Sequence, residues 1–253
     1  MTSPAVLGTT GLTVRFGGLL AVNSVDLDCR RGELTGLIGP NGAGKTTFID
    51  AITGFLPRNA SGQVVLDGSD VSGWAPHRLA QAGLCRTWQS LELFDDITVR
   101  GNLDVASRPL TFVNGLADYF TGSHGDERVD EVLNTLNLSG VADRRPNELS
   151  QGQRKLVGVG RALVADARLV LLDEPAAGLD RRETVWLGIQ LRRIVDAGTP
   201  VLLVDHDMGL VLSVCDRIHV LEFGQLIATG TPGEIRTSDE VIAAYLGGSG
   251  GDS

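Results

Sequence analysis

Three short stretches of this chain carry residue types that could act on phosphate. The first is Gly39-Pro40-Asn41-Gly42-Ala43-Gly44-Lys45-Thr46-Thr47, which fits G-x-x-x-x-G-K-[ST]. In such a loop glycines let backbone N–H groups close around phosphate oxygens, and the helix that follows adds its positive end. Lys45 is placed to reach the β- and γ-phosphates, and the Thr46 hydroxyl to sit on Mg²⁺. Lysine usage sharpens the reading, because of 22 Lys+Arg only Lys45 and Lys155 are lysines. A chain that writes arginine nearly everywhere keeps the compact ammonium where a tight loop has no room for a planar fork. The stretch predicts a nucleoside triphosphate site.

The second stretch, Leu169-Val170-Leu171-Leu172-Asp173-Glu174-Pro175, ends an apolar strand in two carboxylates. Sheets with crossover helices place ligands at the carboxyl ends of their strands. Asp173 is therefore expected to hold Mg²⁺ through water, and Glu174 to polarise the water that attacks the γ-phosphate. The third, Leu149-Ser150-Gln151-Gly152-Gln153, lies immediately before a helix expected over 154–165. Taken alone, it also reads as an ordinary helix cap.

Positioning these groups needs a sheet and helices around it. Residues 6–30 alternate apolar and polar, as in antiparallel strands, with turns expected at Gly17-Gly18 and Asn23-Ser24. Leu34 to Ile38 forms a strand into the phosphate loop, and a helix runs out of it to about Gly54. Gln63 to Leu66 is a further strand, closed by a turn at Asp67-Gly68. From about Gln89 to Gln153 strand-like runs disappear. Helical spacing appears in Phe112, Val113, Leu116, Tyr119 and Phe120, a face suited to core packing or to a membrane partner. It returns in Val129, Val132, Leu133, Leu136 and Leu138. Strands then resume at Arg168–Leu172, Val201–Val204 and Gly224–Ala228, and Gly247 to Ser253 reads as a flexible tail.

At 253 residues the chain fits one large domain or a domain with an inserted subdomain. The formal charge of −9 argues against a surface that coats nucleic acid. Cys29, Cys85 and Cys215 are widely spaced with no C-x-x-C, so they read as reduced thiols of a cytosolic protein. The first residues lack the pattern of a signal peptide, and no stretch approaches 18 uncharged apolar residues. A membrane role is expected to come through a partner.

The three stretches, in this order, resemble the nucleotide-binding subunits of ATP-binding-cassette (ABC) transporters, over about Leu7 to Leu246. The resemblance implies an α/β fold: a P-loop NTPase (RecA-like) core, an N-terminal antiparallel β subdomain and an inserted α-helical subdomain. The whole domain spans 6–246, with the core at about 6–88 and 154–246, the helical insert at about 89–153 and a flexible tail at 247–253. It implies ATP and Mg²⁺ as ligands. Ser150, Gly152 and Gln153 correspond to the family's signature motif, which contacts the γ-phosphate of ATP held by a second protomer. Here Gln151 replaces the first glycine of the commonest form, L-S-G-G-Q.

Other positions match one by one. Gln89 resembles the glutamine that senses Mg²⁺ and links core to insert. Asp180, in Ala177-Gly178-Leu179-Asp180, resembles the residue that crosses the dimer interface, with a simple helix cap as the alternative. His206, at the end of the Val201–Val204 run, resembles the histidine that donates to the γ-phosphate. Phe16 resembles the aromatic that stacks on adenine, with Val22 packing beside it; strand core is the alternative for both. Within the family, Val14 to Val22, Asp205-His206-Asp207-Met208 and Val241 to Gly247 look most like importers of branched-chain or other hydrophobic amino acids. Urea importers and the lipopolysaccharide-export ATPase share part of these markers.

The partners so implied are a second ATP-binding subunit, identical or related, transmembrane permease subunits and an extracytoplasmic solute-binding protein. Together they place the chain at the cytoplasmic face of the membrane. A DNA-repair ATPase of the same superfamily would carry a long coiled coil in the insert, and this insert is too short and lacks sustained heptads. A regulatory subunit that binds ATP without hydrolysing it is disfavoured by the presence of both Glu174 and His206.

Overall fold

The computed structural model describes residues 4–87, 93–107 and 123–247. Strands β1 (Ala5–Phe16) and β2 (Leu19–Arg30) form a hairpin closed by Gly17-Gly18. With β3 (Leu34–Ile38) following in the chain, β4 (Ala60–Leu66) and β5 (Ser69–Asp70) complete an antiparallel sheet ordered β2-β1-β4-β5. Alternation in the sequence becomes alternation in burial: Leu12, Val14, Val22, Val25 and Leu27 face inward. The turn expected at Asn23-Ser24 is corrected. Both residues lie inside β2, where Ser24 at φ 52° forms part of a bulge opposite Leu12 to Val14. A bulge absorbs an extra residue without ending the ladder, so this polar pair bends the strand and does not reverse it.

The second sheet combines β3 with β6 (Leu84–Thr87), β7 (Leu169–Asp173), β8 (Val201–Val204), β9 (Arg217–Glu222) and β10 (Gln225–Gly230). Its order is β10-β9-β3-β8-β7-β6, parallel throughout except for β10. All of β3 and β8 is buried, which accounts for the unbroken apolar run of β8 and for β3 carrying only Thr35 as a polar residue. Leu37, Leu169, Leu171, Leu202 and Val204 belong to a core shared with the hairpin sheet and with α1 (Lys45–Ile52), which contributes Phe48, Ile49 and Ile52. The alternate residues Ile38, Val170, Leu172, Val201 and Leu203 belong to a second core. That core is covered by helices further along the chain.

After the short α2 (Pro76–Gln81), α3 (Val99–Ser107) and α4 (Ser123–Thr135) pack on α5 (Gln151–Val164). Val129, Val132, Leu133, Leu136 and Leu138 are buried, as their spacing predicts. Helices α6 (Arg181–Asp196) and α7 (Met208–Val214) pack against the sheet, and α8 (Pro232–Thr237) and α9 (Asp239–Gly247) close the chain. The expected aromatic face at 112–120, Gln89 and the tail from 248 onward lie outside the described residues.

The helix expected from 154 begins at Gln151. Ser150 and Gln153 form a reciprocal capping box, in which Ser150 Oγ accepts from Gln153 N at 3.3 Å and Gln153 Oε1 accepts from Ser150 N at 3.0 Å. The boundary expected at 153 therefore falls within a continuous helix. Among the described residues, no helix is long and apolar enough to cross a membrane.

Candidate nucleotide site

Strand register decides which functional groups meet. Leu37 of β3 pairs with Val204 of β8, and Val204 pairs with Asp173 of β7. The segments leaving these three strands therefore emerge side by side at one sheet edge. They carry the phosphate loop, Asp205-His206 and Glu174. The edge strand β6, which pairs with β7, ends at Thr87, two residues short of Gln89.

The loop packs closely on the main chain around it. A Cβ on Gly39 would lie 2.0 Å from the Leu221 carbonyl oxygen, and one on Gly44 (φ 101°) would lie 2.6 Å from the Ala21 carbonyl oxygen. Only glycine permits that approach at these positions. No side chain caps α1, so the N–H groups of its first turn are left for an outside acceptor. Lys45 is 8% exposed and its Nζ donates to the Gly39 carbonyl at 2.7 Å and the Pro40 carbonyl at 3.1 Å. Burial lowers its proton affinity, and the carboxylates of Glu174 and Asp173 oppose that shift. Asn41, Gly42 and Thr46 are exposed, Pro40 and Thr47 are half-buried, and Ala43 is buried.

Glu174 adopts φ 49°, a left-handed conformation uncommon for a non-glycine. Its N–H donates to the Val204 carbonyl at 2.7 Å, which ties the residue to the neighbouring strand. His206 Nδ1 lies 3.8 Å from Glu174 Oε1 and 3.8 Å from Asp205 Oδ1, and the ring is largely exposed. Asp205 is fully buried, accepting from Ala176 N and Asp207 N, both at 2.9 Å. Asp207 in turn caps α7 through Leu210 N at 3.0 Å. Asp173 is paired with Arg86, a buried guanidinium that also holds Asp50 of α1.

The remaining expected residues are placed as follows. Phe16 stands 40% exposed at the tip of the β1–β2 hairpin. Val22 is wholly enclosed in the core beneath it, so the expected contact with the base is corrected: no surface of Val22 is offered to a ligand. Ser150 and Gln153 are engaged in the capping box. The Gly152 N–H donates to Glu183 Oε1 at 3.2 Å, which anchors the signature segment to α6. Asp180 caps α6, accepting from Arg182 N at 2.7 Å and Glu183 N at 2.8 Å. Gln89 lies outside the described residues. Arg86, Asp205 and Glu183 were missed by sequence reasoning. A charge closing a short apolar run, as Arg86 does after Leu84 and Cys85, was the available signal.

The donor set suits a magnesium nucleotide. Among the described residues, no group of three His, Cys, Asp or Glu side chains could hold a metal unaided. Mg²⁺ characteristically takes one or two protein ligands and completes its shell with phosphate oxygens and water. One carboxylate at the strand end and one hydroxyl at the loop meet that requirement.

Comparison with known proteins agrees with this geometry. Residues 22–177 match the family model for ABC transporters, and residues 225–250 match that for branched-chain amino acid ATP-binding cassette transporters. The high-affinity branched-chain amino acid transport ATP-binding protein BraF of Pseudomonas aeruginosa is 39% identical, covering 97% of this chain and 99% of that protein. The lipopolysaccharide export system ATP-binding protein LptB of Escherichia coli is 33% identical, covering 96% and 98%. The solved structure of MJ1267, an ATP-binding cassette of an ABC transporter, superposes with a TM-score of 0.83 at 30% identity, covering 96% of this chain and 99% of that one.

Proposed function

The chain belongs to the ABC transporter family as one of its ATP-binding subunits, and from that premise we propose that it hydrolyses ATP to drive import of branched-chain or related amino acids. The observation that carries the reading is the register of Leu37, Val204 and Asp173, which gathers loop lysine, carboxylates and histidine at one edge.

Phosphoryl transfer is catalysed chiefly by positioning and charge stabilisation. Lys45 Nζ exchanges its bonds to the Gly39 and Pro40 carbonyls for β- and γ-phosphate oxygens. The backbone N–H groups from Gly39 to Thr47 surround the same phosphates, and Phe16 stacks on the adenine. Thr46, Asp173 and Gln89 are the residues that would hold Mg²⁺, which supplies positive charge to the phosphate oxygens when bound. Glu174 accepts a hydrogen bond from the attacking water and orients it. His206 donates to the γ-phosphate from beside Glu174.

Ser150, Gly152, Gln153 and Asp180 serve a nucleotide held by a second subunit, identical or related, so that ATP draws two subunits together. Permease subunits bear the chain at the cytoplasmic face of the membrane, and a solute-binding protein delivers cargo on the far side. The names of the relatives support amino acid import over lipopolysaccharide export, as does the match of residues 225–250.

The test begins with the purified chain. Glu174→Gln should retain ATP binding and lose most turnover; a variant keeping more than about a tenth of the wild-type rate rejects Glu174 as the principal carboxylate. Photocrosslinking ATP to position 150 should join nucleotide on one chain to its partner, and crosslinks confined to single chains would overturn site sharing. Uptake of labelled leucine by cells expressing the chain with its permeases decides the cargo. No uptake of any branched-chain amino acid removes that assignment.

A further inference from the structure

The lysine scarcity that marks Lys45 marks one other residue, and the phosphate loop does not explain it. Lys155 sits on the second turn of α5 and its Nζ donates to the Pro175 carbonyl and the Ala177 carbonyl, both at 2.6 Å. Both lysines therefore do the same work: each ammonium bridges two carbonyls of a tight backbone segment. A planar fork fits such a pair poorly, whereas a point donor with three rotatable protons fits it well.

The segment so held begins with Glu174. A non-glycine in the left-handed region is strained and persists only where its surroundings over-determine it. Here the surroundings are identifiable. The Val204 carbonyl holds the Glu174 N–H, and buried Asp205 holds the Ala176 N–H. Lys155 holds the carbonyls on either side of Ala176. Two further approaches join α5 to this loop and to the helix that follows it. The Gln151 amide lies over Gly178, where a Cβ would come within 2.9 Å of its Nε2, and Gly152 donates to Glu183. The glutamine that departs from the family's commonest signature thus has a contact of its own on this loop.

We propose that Lys155 is a positioning residue that clamps the Glu174–Asp180 segment to the first turns of α5. The clamp keeps Glu174 in its left-handed conformation and makes the signature segment and the catalytic carboxylate one rigid unit. On the shared-site reading above, on which this consequence rests, the signature segment serves one nucleotide and Glu174 the other. Lys155 is then the link through which engagement at one site aligns the water at its neighbour.

Lys155→Met, Lys155→Gln and Lys155→Arg test this with two independent readouts. Hydrogen exchange on the nucleotide-free chain requires no ATPase activity: amides of 176–179 should exchange at least about tenfold faster in Lys155→Met, with exchange in β3, β7 and β8 unchanged. Turnover should fall by about thirtyfold or more, while ATP affinity without Mg²⁺ stays within about twofold and cooperativity in ATP is lost. Lys155→Gln, which keeps a neutral NH2 donor, and Lys155→Arg, which keeps charge in a fork, should fall between wild type and Lys155→Met in both measurements. Unchanged exchange at 176–179 overturns the clamp. A turnover within twofold of wild type, or a loss matched by lost nucleotide affinity, overturns the positioning role. If the wild-type chain hydrolyses no ATP, the ATPase reading fails, and the exchange experiment still decides the clamp.

Discussion

Arg86 Nη2 lies 2.9 Å from Asp173 Oδ2 while its Nη1 lies 2.6 Å from Asp50 Oδ1. One guanidinium, 7% exposed, therefore fastens the helix leaving the phosphate loop to the strand that carries the proposed metal-binding carboxylate. Removing it strands two partly buried carboxylates facing one another's field. Arg86→Ala should lose about 3 kcal/mol of stability in urea unfolding, as expected for breaking a buried ion pair from one side. A loss below about 1 kcal/mol would show that the pair does little structurally.

Glu174 combines a proposed catalytic role with a backbone conformation that suits glycine. Glu174→Gly should therefore raise stability by up to about 1 kcal/mol while lowering turnover at least a hundredfold. Thermal melting and steady-state hydrolysis check the two halves separately. A variant that is both inactive and destabilised would mean the side chain's contacts outweigh the strain.

Lys45→Arg conserves charge and should still fail. The ammonium sits 8% exposed inside a loop whose carbonyls approach to 2.7 and 3.1 Å, and the wider fork has no equivalent place there. Nucleotide affinity by fluorescence titration should drop at least about tenfold. Near-normal affinity would undo the argument from loop size.

His219, on β9, is 1% exposed, with Nδ1 3.0 Å from Thr229 Oγ1. Burial, reinforced by the Arg217 cation, lowers its pKa to about 4. Well above pH 6.5 the ring is neutral both folded and unfolded, and its contribution is constant. As pH falls from 6.5 towards 4, the unfolded chain takes the proton first and stability is lost, by about 2 kcal/mol between pH 6.5 and pH 5. His219→Leu should flatten that part of the stability profile. An unchanged slope in the variant would assign the acid sensitivity elsewhere.

The parts of the fold legible in the sequence are those in which burial repeats with the period of one element. Strand β8 and residues 169–172 of β7 are apolar without interruption because both their faces are covered, and Val129, Val132 and Leu133 follow one face of α4. Asn23-Ser24 misled because a bulge and a turn use the same small polar residues. The start of α5 was placed late because S-x-x-Q reads as a motif before it reads as a capping box. Within the site, Lys45, Asp173, Glu174 and His206 were visible through loop or strand-end chemistry. Arg86, Asp205 and the partners of Lys155 were not, since each acts on groups brought near only by the packing of strands and helices distant in the chain.

Gly39 leaves 2.0 Å between an imagined Cβ and the Leu221 carbonyl, so the floor of the phosphate loop is the main chain of β9. Side-chain substitution cannot raise or lower a floor built from peptide groups. Divergence among such chains can therefore recolour the walls, changing which base stacks, how tightly the metal is held and which neighbour docks. The depth at which phosphate rests is inherited with the sheet itself. A designer seeking a different polyphosphate length would have to move a strand.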